Sequence, residues 1–107
     1  MSGVVSLDKD KLEVIRNIAR FLNQFVSKDP ERPRYSYIDR LSAPYNQEIV
    51  LISIQEALRE ARSAEYWIPN EDIVENFLKL CGEDLRYATI VSALALTYGK
   101  SGEKRGE

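Results

Sequence analysis

In LEVIRNIARFLNQFV (Leu12 to Val26), apolar residues recur every three or four positions. Leu12, Ile15, Ala19, Leu22 and Val26 form one stripe, and Val14, Ile18, Phe21 and Phe25 form a second beside it. That period belongs to an α-helix; a half-buried strand would alternate every second residue. Two adjacent stripes make an apolar face too wide for one neighbour to cover, so this helix is expected to touch several others. Ser6 or Asp8 can cap its start.

Working outward, the same period recurs and no segment alternates cleanly, which predicts an all-α chain. SKDPERP (Ser27 to Pro33) reads as a surface connection, because each proline disfavours helix at the residue before it. Tyr35 to Leu41 is expected to form a short helix stopped near Pro44. Asn46 to about Ala64 follows as a long helix with Val50, Ile54, Ala57 and Ala61 inward. Trp67, Ile68 and Pro69 turn the chain. Asn70 is a good N-cap for a helix to Cys81, with Glu71 and Asp72 complementing its positive end and Gly82 as the expected C′ residue. The last helix, Glu83 to Tyr98, carries Tyr87, Val91, Leu94 and Tyr98 on one stripe. Its small residues Ala88, Ser92 and Ala95 allow a close neighbour. The expectation is a compact bundle of four long helices and one short one over residues 1–99, with Gly99 ending the last helix. The polar tail 100–107 (KSGEKRGE) is expected to be flexible, having too few apolar groups to offset the entropy of ordering.

A chain of 107 residues with 44% hydrophobic residues is long enough to bury one core without disulfides or metals. Cys81 is the only cysteine, which removes a disulfide framework and any multi-cysteine zinc site. The opening MSGVVSLDKDK has no basic segment followed by an apolar core. No apolar run is longer than Ile49 to Ile52, far short of the roughly 20 residues of a membrane span. The expected compartment is cytoplasmic. The net charge is −2, but it is unevenly spread: bases outnumber acids through Tyr45, and acids dominate from Asn46 to Gly99. One weakly basic patch can therefore coexist with an acidic opposite side.

The absence of histidine excludes histidine triads, histidine metal ligation and imidazole proton shuttles. No GxxxxGK[ST] or GxGxxG occurs to cradle phosphates. Carboxylates are the remaining acid–base candidates, Glu56 with Glu60 and Glu71, Asp72 and Glu75, but helix-dipole and surface-pair roles explain them better. Asp8, Asp10 and Glu13 lack the ligand ladder of a calcium loop, and Cys81 has no identifiable base beside it. The chain is read as having no catalytic residue, no metal site and no cofactor.

One stretch stands out chemically. RPRYSYIDRLSAPY (Arg32 to Tyr45) sets Arg32, Arg34 and Arg40 among Tyr35, Tyr37 and Tyr45, a mixture suited to phosphate contacts and base stacking. Two readings are open: a nucleic-acid contact, or a loop whose tyrosines cover the bundle end while its arginines pair with Asp29, Glu31 and Asp39. Arg59 and Arg62 extend the patch or pair with Glu56 and Glu65. Arg16 and Arg20, one turn apart, carry the same ambiguity. Tyr66 and Trp67 are candidates for a protein interface; the bulk of tryptophan equally favours a core anchor for Trp67.

YSYIDRLS (Tyr35 to Ser42), ALREA (Ala57 to Ala61) and ATIVSALALTYGK (Ala88 to Lys100) resemble the small subunit of archaeal type I-A CRISPR interference complexes, over most of Tyr35 to Lys100. The resemblance implies a non-enzymatic subunit of an antiviral surveillance particle. Such a subunit packs beside copies of itself and the backbone subunit and helps hold guide RNA on target DNA or the displaced strand. Nucleic acid, RNA or single-stranded DNA, would be bound weakly or only within the complex. Some members carry a β-rich insertion, for which this chain is too short. A second class stays open: a helical interaction module, such as an accessory subunit of a replication or repair enzyme, docking through Tyr66, Trp67 and the acidic helices.

Overall fold

A computed structural model describes residues 8–27, 35–43 and 45–105. They form five helices, α1 (Lys9–Ser27), α2 (Tyr35–Leu41), α3 (Gln47–Ser63), α4 (Glu71–Glu83) and α5 (Arg86–Arg105), and no strand occurs among the described residues. No helix there is long and apolar enough to cross a membrane.

α1 is the hub. Both of its apolar stripes are used: Val14, Ile15, Ile18, Ala19, Phe21, Leu22, Phe25 and Val26 are all buried. It lies most extensively along α5 and also touches α4, α3 and α2. Burying each large side chain of that face contributes about 1.5–3 kcal/mol. Phe21 and Phe25 stack at 5.5 Å, making an aromatic spine at the helix's C-terminal half. Asp8 caps the start, its Oδ1 accepting from the Lys11 backbone N–H at 2.9 Å. Ser6, the other candidate cap, lies outside the described residues, as does the expected connection beyond Ser27.

α5 lies along α1, and its Ala88, Val91 and Ala95 are all buried. Ser92 is buried in the same row and donates from Oγ to the Leu41 carbonyl, satisfying the end of α2. A hydroxyl on one helix thus fixes the position of another.

Several boundaries differ from expectation. Gly82 lies inside α4, which runs on to Glu83 and closes at Asp84. Glycine permits a helix stop but does not require one, and here the Asp84 N–H continues the helical pattern to the Leu80 carbonyl at 2.9 Å. α5 starts at Arg86, because Asp84 folds its carboxylate over the Arg86 N–H at 3.0 Å and makes the turn between the helices. α5 also runs through Gly99, ending at Arg105. Interior glycine costs only about 1 kcal/mol relative to alanine, and the lysines, glutamate and arginine beyond it are good helix formers with no proline among them.

The end of α3 is built on a residue that sequence does not mark. Glu65 adopts φ 58°, the left-handed region where glycine is usual. The Tyr66 N–H donates to the Ala61 carbonyl at 2.8 Å and the Glu65 N–H to the Arg62 carbonyl at 3.2 Å, the paired bonds of a Schellman turn. That turn aims Tyr66 back at α1.

Candidate interaction surface

The described part of the basic and aromatic run is α2 and the turn after it. Tyr37 is 7% exposed, packed edge-on to Phe25 at 5.9 Å. Its hydroxyl donates to Glu60 Oε1 at 2.8 Å. Burial, then that hydrogen bond and the charges of Glu60 and Glu56, push the hydroxyl up to about 12, against a smaller opposing effect of Arg40. Arg40 donates to Glu56 Oε1 at 2.8 Å, with its guanidinium 5.0 Å from the Tyr37 ring centroid. Tyr37 and Arg40 therefore fasten α2 to α3. The stacking role that the run suggested for Tyr37 is closed by this packing, since its ring faces are covered.

Arg32 and Arg34 lie outside the described residues. Tyr35 opens α2. Arg40 takes Glu56 on the next helix, not the Asp39 beside it, because neighbours in sequence on a helix point in different directions. With Glu56 engaged, Arg59 is exposed and makes no ion pair among the described residues. Arg62 reaches across the turn to Glu71 at 3.0 Å, not to Glu65. Glu65 lies in the left-handed turn, out of helical register.

Tyr66 and Trp67 divide the two roles open to them. Tyr66 is partly buried, its ring 5.4 Å from Phe25 and its hydroxyl donating to the Gln24 carbonyl at 3.1 Å. Trp67, which its bulk favoured as a core anchor, is instead 48% exposed. One side of its indole rests near Phe21, ring centroids 6.4 Å apart. The Schellman turn sends Tyr66 inward, and the extended residues that follow leave Trp67 on the flank of α1.

Two surfaces escape the local reading. Tyr45, Ile49 and Ile52 are 88%, 40% and 50% exposed. Ile49 and Ile52, three apart on α3, lie away from its buried Val50, Ile54, Ala57 and Ala61, and Tyr45 stands in the turn just before the helix. That spacing was a legible signal: a helix apolar on two opposite sides has more apolar surface than one core absorbs. The second surface is the outer row of α1, where Lys9, Arg16 and Arg20 are exposed with Glu13 as the only acid among them. Lys9, Glu13, Arg16 and Arg20 line a single shallow depression with Leu12 and Asn17, and neither arginine forms an ion pair among the described residues.

The reactive groups are held quiet. Cys81 is buried, and desolvation followed by the charge of Asp84 pushes its thiol up to about 12. Glu56, Glu60 and Glu71 are bound to Arg40, Tyr37 and Arg62 respectively. The Asn70 side chain caps α4 by accepting from the Asp72 N–H at 3.0 Å. Among the described residues no three acidic or cysteine side chains converge to hold a metal ion. Comparison of the chain with protein-family models, curated proteins and solved structures finds no match.

Proposed function

We propose that the protein is a non-enzymatic docking subunit of a CRISPR-type nucleoprotein interference complex, seated on a protein neighbour through the outer row of α3. The observation that carries the docking role is the exposure of Ile49 and Ile52 on α3 together with Tyr45 in the turn before it. Burying such side chains against a partner is favourable by about 25 cal/mol per Å² of apolar area, and large aromatic and aliphatic anchors dominate interface energetics. The engagement of Tyr37 and Arg40 in fastening α2 to α3 also favours contact with protein over direct stacking by that segment. The nucleoprotein setting is supported by the resemblance of Tyr35 to Ser42, Ala57 to Ala61 and Ala88 to Lys100 to CRISPR small subunits.

An accessory subunit of a replication or repair enzyme would dock instead through Tyr66, Trp67 and the acidic helices, and the contents of the complex discriminate the two. Recovery of the tagged chain from its source cells, with identification of bound proteins and RNA, tests the reading. Co-recovery of a backbone subunit together with short guide RNA is expected. A chain recovered with a polymerase or repair enzyme and no RNA contradicts it.

A further inference from the structure

We propose that the outer rows of α1 and α4 form a directional contact between copies of this chain, α1 of one copy lying antiparallel against α4 of the next; the contact lies apart from α3 and does not depend on the docking reading above. The α1 row is Lys9, Glu13, Arg16 and Arg20, and the α4 row is Asp72, Glu75, Lys79 and Glu83. All eight side chains are exposed, and none enters an ion pair among the described residues. Spacings of three and four keep each row on one side of its helix. Both rows run eleven steps along the chain, about 16.5 Å at the helical rise.

Laid antiparallel, the rows set Lys9 against Glu83 of the next copy, Glu13 against Lys79, Arg16 against Glu75 and Arg20 against Asp72. Every meeting joins opposite charges, with an axial mismatch of at most about 1.5 Å. No other pairing of these rows does so. In parallel, Glu13 would face Glu75 and Arg16 would face Lys79. Two α1 rows laid antiparallel would set Lys9 against Arg20, and two α4 rows Asp72 against Glu83. Each helix also carries like charges one turn apart, Arg16 with Arg20 and Asp72 with Glu75, which weaken it alone and which the antiparallel neighbour neutralises. Glu13 inside the α1 row repels a simple polyanion, whereas Lys79 of the neighbouring copy receives it. Exposed pairs are weak one at a time and screened by salt, so four in register decide which faces meet, and in which direction, more than how tightly. Because the two faces differ, the contact is heterologous and repeats from copy to copy.

Sedimentation equilibrium of the full-length chain at about 0.01 M and about 1 M salt tests the contact, since the Debye length falls from about 30 Å to about 3 Å between them. At low salt the mean mass should climb past that of a dimer as concentration rises, and at high salt it should return to that of the monomer. Lys9→Glu/Arg16→Glu and Glu75→Lys/Glu83→Lys each turn two of the four meetings repulsive, so each variant alone should associate at least about tenfold more weakly than wild type. Mixed in equal amounts, the two variants should associate like wild type, because every meeting at both kinds of junction again joins opposite charges. The substituted positions are exposed, and a negative charge at the start of α1 and a positive one at the end of α4 suit the helix ends, so the fold should be kept; circular dichroism reads it. Wild-type chain that stays monomeric at low salt, a mass that levels off at a dimer, or helical variants that behave the same separately and mixed would overturn the inference.

Discussion

The Tyr37 hydroxyl lies 2.8 Å from Glu60 Oε1 and donates to it across the α2–α3 interface, joining a tyrosine of the basic and aromatic run to the helix beyond it. The bond requires the protonated phenol. The folded-state value is raised to about 12, above the ordinary value near 10 that applies once the chain unfolds. Its stabilisation is therefore complete below about pH 10 and is lost as pH rises from there towards 12. Urea unfolding between pH 8 and 12 should show this alkaline decline. Tyr37→Phe should lose about 0.5–1.5 kcal/mol at neutral pH and show a shallower decline; an identical alkaline slope in the variant would refute the assignment.

Two buried serines make opposite predictions. Ser53 is fully buried and its Oγ has no hydrogen-bond partner among the described residues, so Ser53→Ala should stabilise the fold by about 1 kcal/mol. Ser92 satisfies the Leu41 carbonyl, so Ser92→Ala should destabilise it by about 1–3 kcal/mol through the acceptor left bare. Denaturation midpoints read both, and shifts of the same sign would contradict the pairing.

At the end of α3, Glu65 pays for the Schellman turn with a left-handed backbone. Left-handed geometry costs a side-chain-bearing residue about 1–2 kcal/mol, partly offset in glycine by its greater unfolded-state entropy. Glu65→Gly should therefore raise stability by about 0.5–1 kcal/mol. A lowered thermal midpoint would show that the turn is not held in this conformation.

Because burial and the charge of Asp84 raise the Cys81 thiol to about 12, the native chain should react with iodoacetamide at pH 8 only through opening of the structure. Labelling should accelerate in step with denaturant. Rapid labelling of the native chain, comparable to that of a free thiol, would place Cys81 at the surface.

The architecture was legible where one helix could be judged by itself. The two stripes of Leu12 to Val26 announced a helix with several neighbours, and Asp8 and Asn70 announced their caps, because both signals depend on local spacing. Pairings between helices were not. Glu56 lies three residues from Arg59 in sequence, yet it binds Arg40 of α2, a contact that arises only when two elements meet. Trp67 left the core environment its bulk favoured for the same reason, and Tyr37, open to two readings in the sequence, was decided by packing against Phe25. Glu65 left no trace, since glutamate carries no preference for the left-handed region.

The central claim, that the outer row of α3 seats the protein in its complex, is tested most directly by recovering tagged wild-type chain and the Ile49→Gln/Ile52→Gln variant from source cells side by side. Glutamine keeps helix propensity, and the replaced side chains lie on the surface, so the fold should change by no more than about 0.5 kcal/mol per site; circular dichroism confirms it. The account predicts that wild-type chain carries the backbone subunit and guide RNA, while the helical variant retains less than about a tenth of both, as expected for loss of interface anchors. A folded variant that recovers the same proteins and RNA in undiminished amount would contradict it.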